Sequence, residues 1–305
     1  MMVRFLALIV LLAPSAWAAL IPDVRAAIAQ GNWTLAEKHI ADHRAAGGIT
    51  PEVLEAHSWL GRGAQAAKLW DKAAAYAAET RRLSLSELKQ RPLDAEPRLP
   101  IALGASIEVQ AHVMAARNER TGAVYFLEKE LAAWRDTSIR TRIQKNIHLL
   151  SLEGKPLPPL EMKNHLGAPP PSAAGLKGKP LLLFFWAHWC GDCKYQAPIL
   201  ARLQKEYGPQ GLLIIGPTQR YGYIARGEDA PPAEELKYID QVRQQHYGSV
   251  AGMTAPVSEE NFKNFGCSTT PTLMLVDRAG IVRMYHPGKM PYEELAPRVS
   301  AVVGK

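Results

Sequence analysis

The sequence predicts two structural classes in one chain, an all-α first half and an α/β second half built on a mixed sheet. Three observations carry this. Residues 20 to 152 are rich in Ala, Leu, Glu, Arg and Lys, which favour helix. Residues 154 to 180 hold seven prolines, which no helix tolerates. From 180 onward, short apolar runs alternate with helical stretches, the pattern of strands and helices wrapped on one sheet. With 305 residues the chain is long enough for two domains, each with its own core.

The N-terminus carries a different signal. Arg4 precedes an apolar run from Phe5 to Ala13, followed by Pro14-Ser15-Ala16-Trp17-Ala18. A basic start, a short apolar core and small residues at −3 and −1 of a cut after Ala18 describe a secretory signal peptide over residues 1–18. An uncleaved anchor is the alternative. The mature product is expected in the periplasm or secreted, and no later stretch reads as a membrane span. The formal charge of +7 comes from scattered Lys and Arg without a run of like charge, so a solvated basic surface is expected and no nucleic-acid partner.

Within residues 20–152 a weak repeat is visible. Similar segments begin at Asn32, Leu69 and Arg120 and place Ala36, Ala73 and Ala123 at equivalent positions, 37 and then 50 residues apart. Trp33 and Trp70 match, with Arg120 in the third copy. This loosely resembles tetratricopeptide repeats, broken by "QRPLDAEPRLP" at 90 to 100. A plain helical bundle is the other reading. Residues 153–179 form a proline-rich linker and lead-in, stiff and extended, with a short strand embedded in "LEMKNHL".

Residues 180–305 then divide in order. "PLLLFFWA" is a continuous apolar run, as a strand buried on both faces should be. A helix is expected from about Gly191 to Glu206, a second buried strand over 211 to 216, and a helix over 232 to 247. A strand near 250 to 257 precedes a short helix with a Ser cap. "PTLMLVD" and "GIVRMYH" form a hairpin, and a last helix covers about 291 to 302.

The chemistry lies in "WAHWCGDCKYQAP". Three cysteines in an exported chain of this length are too few for a stapled scaffold, so the close pair Cys190 and Cys193 reads as reactive. At i and i+3 on one helix turn the two thiols share a face and can close a disulfide. Cys190 precedes the helix, where unpaired N–H groups and the dipole stabilise a thiolate. That thiolate is the natural nucleophile, and the second thiol resolves the mixed disulfide. No metal site or cofactor is expected beyond the disulfide itself. Cys267 reads as a buried core thiol.

"FFWAHWCGDCKYQAPIL" followed by "FGCSTTPTLMLVDRAGIV" resembles the thioredoxin superfamily, specifically the exported TlpA/ResA-like thiol-disulfide oxidoreductases, over about residues 160 to 303. The resemblance implies an α/β thioredoxin fold for the second half, with Cys190 attacking and Cys193 resolving. It implies that Trp189 flanks the exposed sulfur, that Pro271 is a cis-proline facing the pair, and that Thr270 offers its backbone to a substrate strand. It also places Pro198 as a kink in the active-site helix. The departures are Phe184 where thioredoxins carry a buried Asp, and Gln196 where many exported relatives carry Glu. Asp192 could then act as a substitute base, and His188, as an imidazolium, would lower the Cys190 pKa; the alternative for His188 is an exposed loop residue without a role.

The expected function is an exported thiol-disulfide oxidoreductase acting on protein dithiols and disulfides, with a membrane or soluble redox partner. A protein partner on the helical half is also expected. The alternative is a partner-binding helical scaffold in which the second half has a minor catalytic role.

Overall fold

In the computed structural model, which describes residues 19–304, the first half is seven helices. They are α1 (Leu20–Ala29), α2 (Trp33–Gly47), α3 (Pro51–Ala66), α4 (Trp70–Glu87), α5 (Arg98–Ala116), α6 (Arg120–Ala133) and α7 (Arg140–Ser151). The expected signal peptide lies outside the described residues. Helices α1/α2, α3/α4 and α5/α6 pair, while α1, α3, α5 and α7 stack side by side. The same turn ends the first helix of each pair. Residues Gly31, Lys68 and Asn118 take positive φ, and the next residue donates its N–H to a carbonyl five positions back, Asn32 to Ala27, Leu69 to Ala64 and Glu119 to Met114. Ala36, Ala73 and Ala123 are all fully buried, and their small side chains let the paired helices approach. Helix α5 is long and apolar enough to cross a membrane, contrary to the sequence reading, but it is the core helix of this half, with Leu99, Leu103 and Ile107 completely buried.

The second half has strands β1 (His165–Gly167), β2 (Leu181–Phe185), β3 (Leu213–Ile215), β4 (Thr254–Pro256), β5 (Thr272–Val276) and β6 (Val282–Pro287). Its helices are α8 (Ala173–Leu176), α9 (Gly191–Tyr207), α10 (Pro232–Tyr247), α11 (Glu259–Asn264) and α12 (Tyr292–Val303). The strands form one mixed sheet in the order β1-β4-β3-β2-β5-β6. The pairs β2/β3 and β3/β4 are parallel, and β1/β4, β2/β5 and β5/β6 antiparallel. All five residues of β2 are buried, and they alternate between two cores. Leu182 and Phe184 pack with Leu200 and Leu203 of α9, Ile239 of α10 and Leu295 of α12. Leu181, Leu183 and Phe185 face the other way, onto Phe262 of α11, Phe265 and Leu152.

That second face departs from the expected stiff, extended linker. Leu157, Leu160 and Met162 of the proline-rich segment pack into the same core as Leu152. Its backbone is also taken up. Gly154 N–H donates to Val282 O at 2.9 Å, Val282 N–H to Lys155 O at 2.9 Å, and Leu157 N–H to Gly280 O at 2.9 Å. The prolines stop helix formation but leave these donors free to satisfy the edge of β6, which would otherwise stand unpaired. The embedded strand is confined to β1, at the C-terminal end of the expected segment.

Helix α7 completes the seal. His148 Nε2 lies 2.9 Å from Asn264 O, and its ring meets Tyr285 edge-on at 5.5 Å. Tyr285 Oη donates to Phe265 O at 3.0 Å and Gly266 O at 3.1 Å. Gly266 (φ +63°) lies so close to α7 that a Cβ there would sit 2.4 Å from Lys145 N and 2.7 Å from Lys145 Cα. Only glycine serves this position on both counts. Gly266→Ala is therefore expected to destabilise the chain by at least about 2 kcal/mol, from left-handed strain plus a clash with backbone that cannot swing aside. Thermal unfolding checks this; an unchanged midpoint would mean that the close approach is absent in solution.

Candidate active site

The site is built at the C-terminal ends of β2 and β3. Trp186, just past β2, is pinned there: its indole Nε1 donates to Gly216 O at 2.8 Å, its N–H to Pro217 O at 3.0 Å, and its carbonyl accepts from Thr218 Oγ1 at 2.9 Å. Four residues on, Cys190 is the N-cap of α9, with extended backbone and its sulfur 3.0 Å from Cys193 N–H. A sulfur accepting a helix N-terminal N–H is the placement that favours a thiolate. Cys190 and Cys193 are joined by a disulfide, with Cα atoms 5.2 Å apart. Pro198 lies inside α9, where the sequence placed the kink residue.

The peptide between Thr270 and Pro271 is cis. Thr270 O lies 3.4 Å from Cys190 Sγ, so this loop faces the pair. The carbonyl opposes a negative charge on sulfur, while the Cys193 N–H and the helix end favour it. Trp189, next to Cys190 in the chain, is 49% exposed, its ring edge-on to Tyr221 at 5.5 Å. Cys190 is only 3% exposed and Cys193 is fully buried, so the attacking sulfur is more covered than a free helix end would leave it. Cys267 is buried and free, and burial pushes its thiol well up. It is the core thiol that the sequence suggested.

His188 corrects the reading of an exposed loop residue. It is 1% exposed, ringed edge-on by Tyr221, Tyr223 and Tyr238 at 5.3 to 5.5 Å. Its Nε2 lies 3.6 Å from Glu235 Oε1, beyond hydrogen-bond reach, and among the described residues neither ring nitrogen has a hydrogen-bond partner. Burial lowers its pKa more than Glu235 raises it, so the imidazole is neutral at neutral pH. It then lends Cys190 no positive charge. Asp192 is also engaged elsewhere, its carboxylate 2.6 Å from Lys289 Nζ on the surface. Gln196 is fully buried and accepts from Met290 N–H at 2.9 Å, while its Nε2 has no hydrogen-bond partner among the described residues.

Sequence reasoning passed over the segment from Gly288 to Met290. Gly288 N–H donates to Pro271 O at 2.7 Å, Lys289 holds Asp192, and Met290 holds Gln196, so this turn ties the cis-proline loop to α9. It also passed over Glu235, a buried carboxylate that accepts from Tyr221 N–H and Gly222 N–H and anchors the tyrosine loop. The tyrosine pair in that loop was the one signal available from sequence.

A mixed sheet, a Cys-x-x-Cys pair capping a helix and an opposed cis-proline define a thioredoxin-type dithiol site. The sequence pattern of the thioredoxin-like domain matches residues 171–302. A thioredoxin-like protein of Synechocystis is 50% identical over 75 residues, 24% of this chain and 69% of that protein. The thiol:disulfide interchange protein DsbE of Xylella fastidiosa is 30% identical over 122 residues, 39% of this chain; the match spans 52% of the DsbE length. A thiol:disulfide interchange protein of Chlorobium tepidum, known by crystal structure, superposes with a TM-score of 0.37 and 20% identity over 49% of this chain and 98% of that one. The chain belongs to the thioredoxin-like family.

Burial lowers the pKa below 6.5 for His188, for His148 at α7 and for the half-buried His57, whose Nδ1 lies 2.8 Å from Thr80 Oγ1. Each binds a proton more readily unfolded than folded. Their contribution is complete above pH 6.5 and is lost as pH falls below it, at up to about 1.4 kcal/mol per pH unit for each proton taken up. Urea unfolding across this range is expected to show stability dropping before the carboxylates titrate. A flat profile between about pH 7 and pH 5 would contradict the burial of these rings.

Proposed function

We propose that the chain is a thiol-disulfide oxidoreductase acting on protein substrates, with Cys190 attacking and Cys193 resolving. The observation that carries this is the Cys190 sulfur at the α9 N-terminus, bonded to Cys193 and facing the cis-proline loop. In the reductive direction the Cys190 thiolate attacks one sulfur of a client disulfide, forming a mixed disulfide and releasing one client thiolate. The Cys193 thiolate then attacks Cys190 Sγ, closing the internal disulfide and releasing the second client thiolate. Two electrons pass to the client, and a dithiol partner returns them to the pair. The opposite direction runs through the same mixed disulfide.

Trp189 and Thr270 would border the client strand, with Pro271 shaping the platform. Asp192 would receive the Cys193 proton through water, since Phe184 and Gln196 occupy the two positions where relatives carry acids. Residues 1–18 would direct export to the periplasm or beyond and be cut after Ala18. Residues 20–152 would form a tetratricopeptide-like array; the recurring turn at Gly31, Lys68 and Asn118 and the buried Ala36, Ala73 and Ala123 support that reading. This array would select partners, with 153–179 as lead-in and 180–305 as the exchange unit.

Insulin reduction by dithiothreitol provides the test. Cys190→Ser is expected to bring turnover down to the uncatalysed rate, whereas Cys193→Ser should still attack and accumulate a mixed disulfide with the client. Turnover retained in Cys190→Ser would overturn the assignment.

A further inference from the structure

The stacked helices of the first half carry a ladder of side chains that the exchange chemistry does not use. Arg25 of α1 and Arg62 of α3 both stack on the ring of Trp59, also on α3, with their guanidinium carbons 4.3 and 3.7 Å from its centroid. One turn separates Trp59 from Arg62, so both project from the same side of α3. The ladder continues across α5 to α7. Glu108 of α5 accepts from Arg142 Nε at 3.0 Å and from Lys145 Nζ at 2.9 Å, both on α7.

The charges along this ladder do not balance. Burial alone would push the Glu108 carboxyl up, but Arg142 and Lys145 outweigh it and hold the group far below the usual carboxylate range. Glu108 is thus an anion already shared by two cations. Arg25 and Arg62 make no ion pair and no side-chain hydrogen bond among the described residues, although Glu108 and Glu55 act on Arg62 from a distance. Burial, together with Arg142 and Arg25, pulls the Arg62 pKa down, and Glu108 and Glu55 offset this only in part. Trp59 Nε1 is buried without a hydrogen-bond partner among the described residues, so the surface of the cluster is formed by the two guanidinium groups. Like charges gathered around one half-buried indole repel, and cation–π stacking supplies no acceptor for their N–H groups. The two carboxylates near Arg62, Glu55 and Glu108, are already paired with other cations, so the cluster is a positive surface.

We propose that the Arg25–Trp59–Arg62 cluster is a docking site for a carboxylate-bearing, acidic segment of the client protein of the exchange reaction. This rests on the oxidoreductase reading for who the partner is, but not for the binding itself. Planar guanidinium groups donate to a carboxylate in a bidentate fork. Glu108, an anion paired with Arg142 and Lys145 and acting on Arg62, disfavours a continuous polyanion such as a nucleic acid. It suits a peptide whose acidic residues are spaced by neutral ones. The site also leads toward the chemistry. Helix α7, which bears Arg142 and Lys145, has its Lys145 backbone against Gly266, four residues before Thr270. A segment held on the ladder would raise the effective concentration of a tethered disulfide or dithiol at Cys190.

The test uses the full-length oxidised protein and a fluorescein-labelled, cysteine-free peptide of alternating Glu and Gly, followed by anisotropy at low salt. A Gln-Gly counterpart, an oligothymidine strand and phosphatidylglycerol vesicles are the comparison arms. The Glu peptide is expected to bind at least about tenfold more tightly than the Gln peptide and more tightly than the strand or the vesicles. Arg62→Ser should weaken it about tenfold, and Arg25→Ser, at an exposed position, should do so without risk to folding. Equal binding of the Glu and Gln peptides would overturn the proposal, as would tighter binding of the strand or vesicles, or unchanged binding in Arg25→Ser. Because the peptide has no sulfur, lost binding with intact insulin turnover sinks this inference alone. Intact binding without turnover sinks the oxidoreductase reading alone.

Discussion

A strand with an apolar side chain at every position must be covered on both faces. In this protein that strand is β2, and its LLLFF run sets the terms for the rest. One face is covered in the usual way, by α9, α10 and α12. On the other face the six-residue α11 is too short to bury Leu181, Leu183 and Phe185 alone. Leu152 from the end of α7 and Leu157, Leu160 and Met162 from the proline-rich segment complete the cover. The helical half is therefore part of the structure that holds the sheet, and through the sheet it holds the active site.

That coupling reaches the chemistry through a short run of chain. The segment from Asn264 to Pro271 begins under His148, passes Gly266 against the Lys145 backbone, and ends at the cis-proline facing Cys190. On the far side, Gly288 to Met290 ties Pro271 and α9 together. The reactive pair sits between two braces, one anchored on α7 and one on the end of β6. Such bracing fixes the position of the platform relative to the sulfur, which matters for a reaction that needs sulfurs in line. The helical half and the exchange site then share one framework, in place of a linker with a free joint.

Much of this was legible in the sequence. The apolar run at 181–185, the Ser cap before α11 and the hairpin of β5 and β6 are local signals, and local signals survive without tertiary information. The cysteine pair was legible because its chemistry needs fixed spacing on one helix turn; the cis-proline was legible only through the resemblance to the thioredoxin superfamily. The fate of the proline-rich segment was not. Proline forbids helix but does not say whether an extended chain floats or docks; the leucines and the methionine between the prolines decide that, and only the position of the sheet shows where they go. His188 was misjudged for the same reason. Its burial comes from Tyr221, Tyr223 and Tyr238, all more than thirty residues along the chain. Lys289 and Glu235 act through contacts formed by distant segments, which no local pattern marks.

The central claim is that α7 and the lead-in belong to the same cooperative unit as the sheet. Native-state hydrogen exchange on the full-length protein tests it most directly. The amides of residues 143 to 157 that are hydrogen-bonded should open with a free energy within about 1 kcal/mol of those in β2 and β5, because uncovering Leu181, Leu183 and Phe185 undoes both at once. Exchange of α7 and the lead-in at several kcal/mol less than the central strands would mean that the helical half detaches on its own, and the account would be wrong.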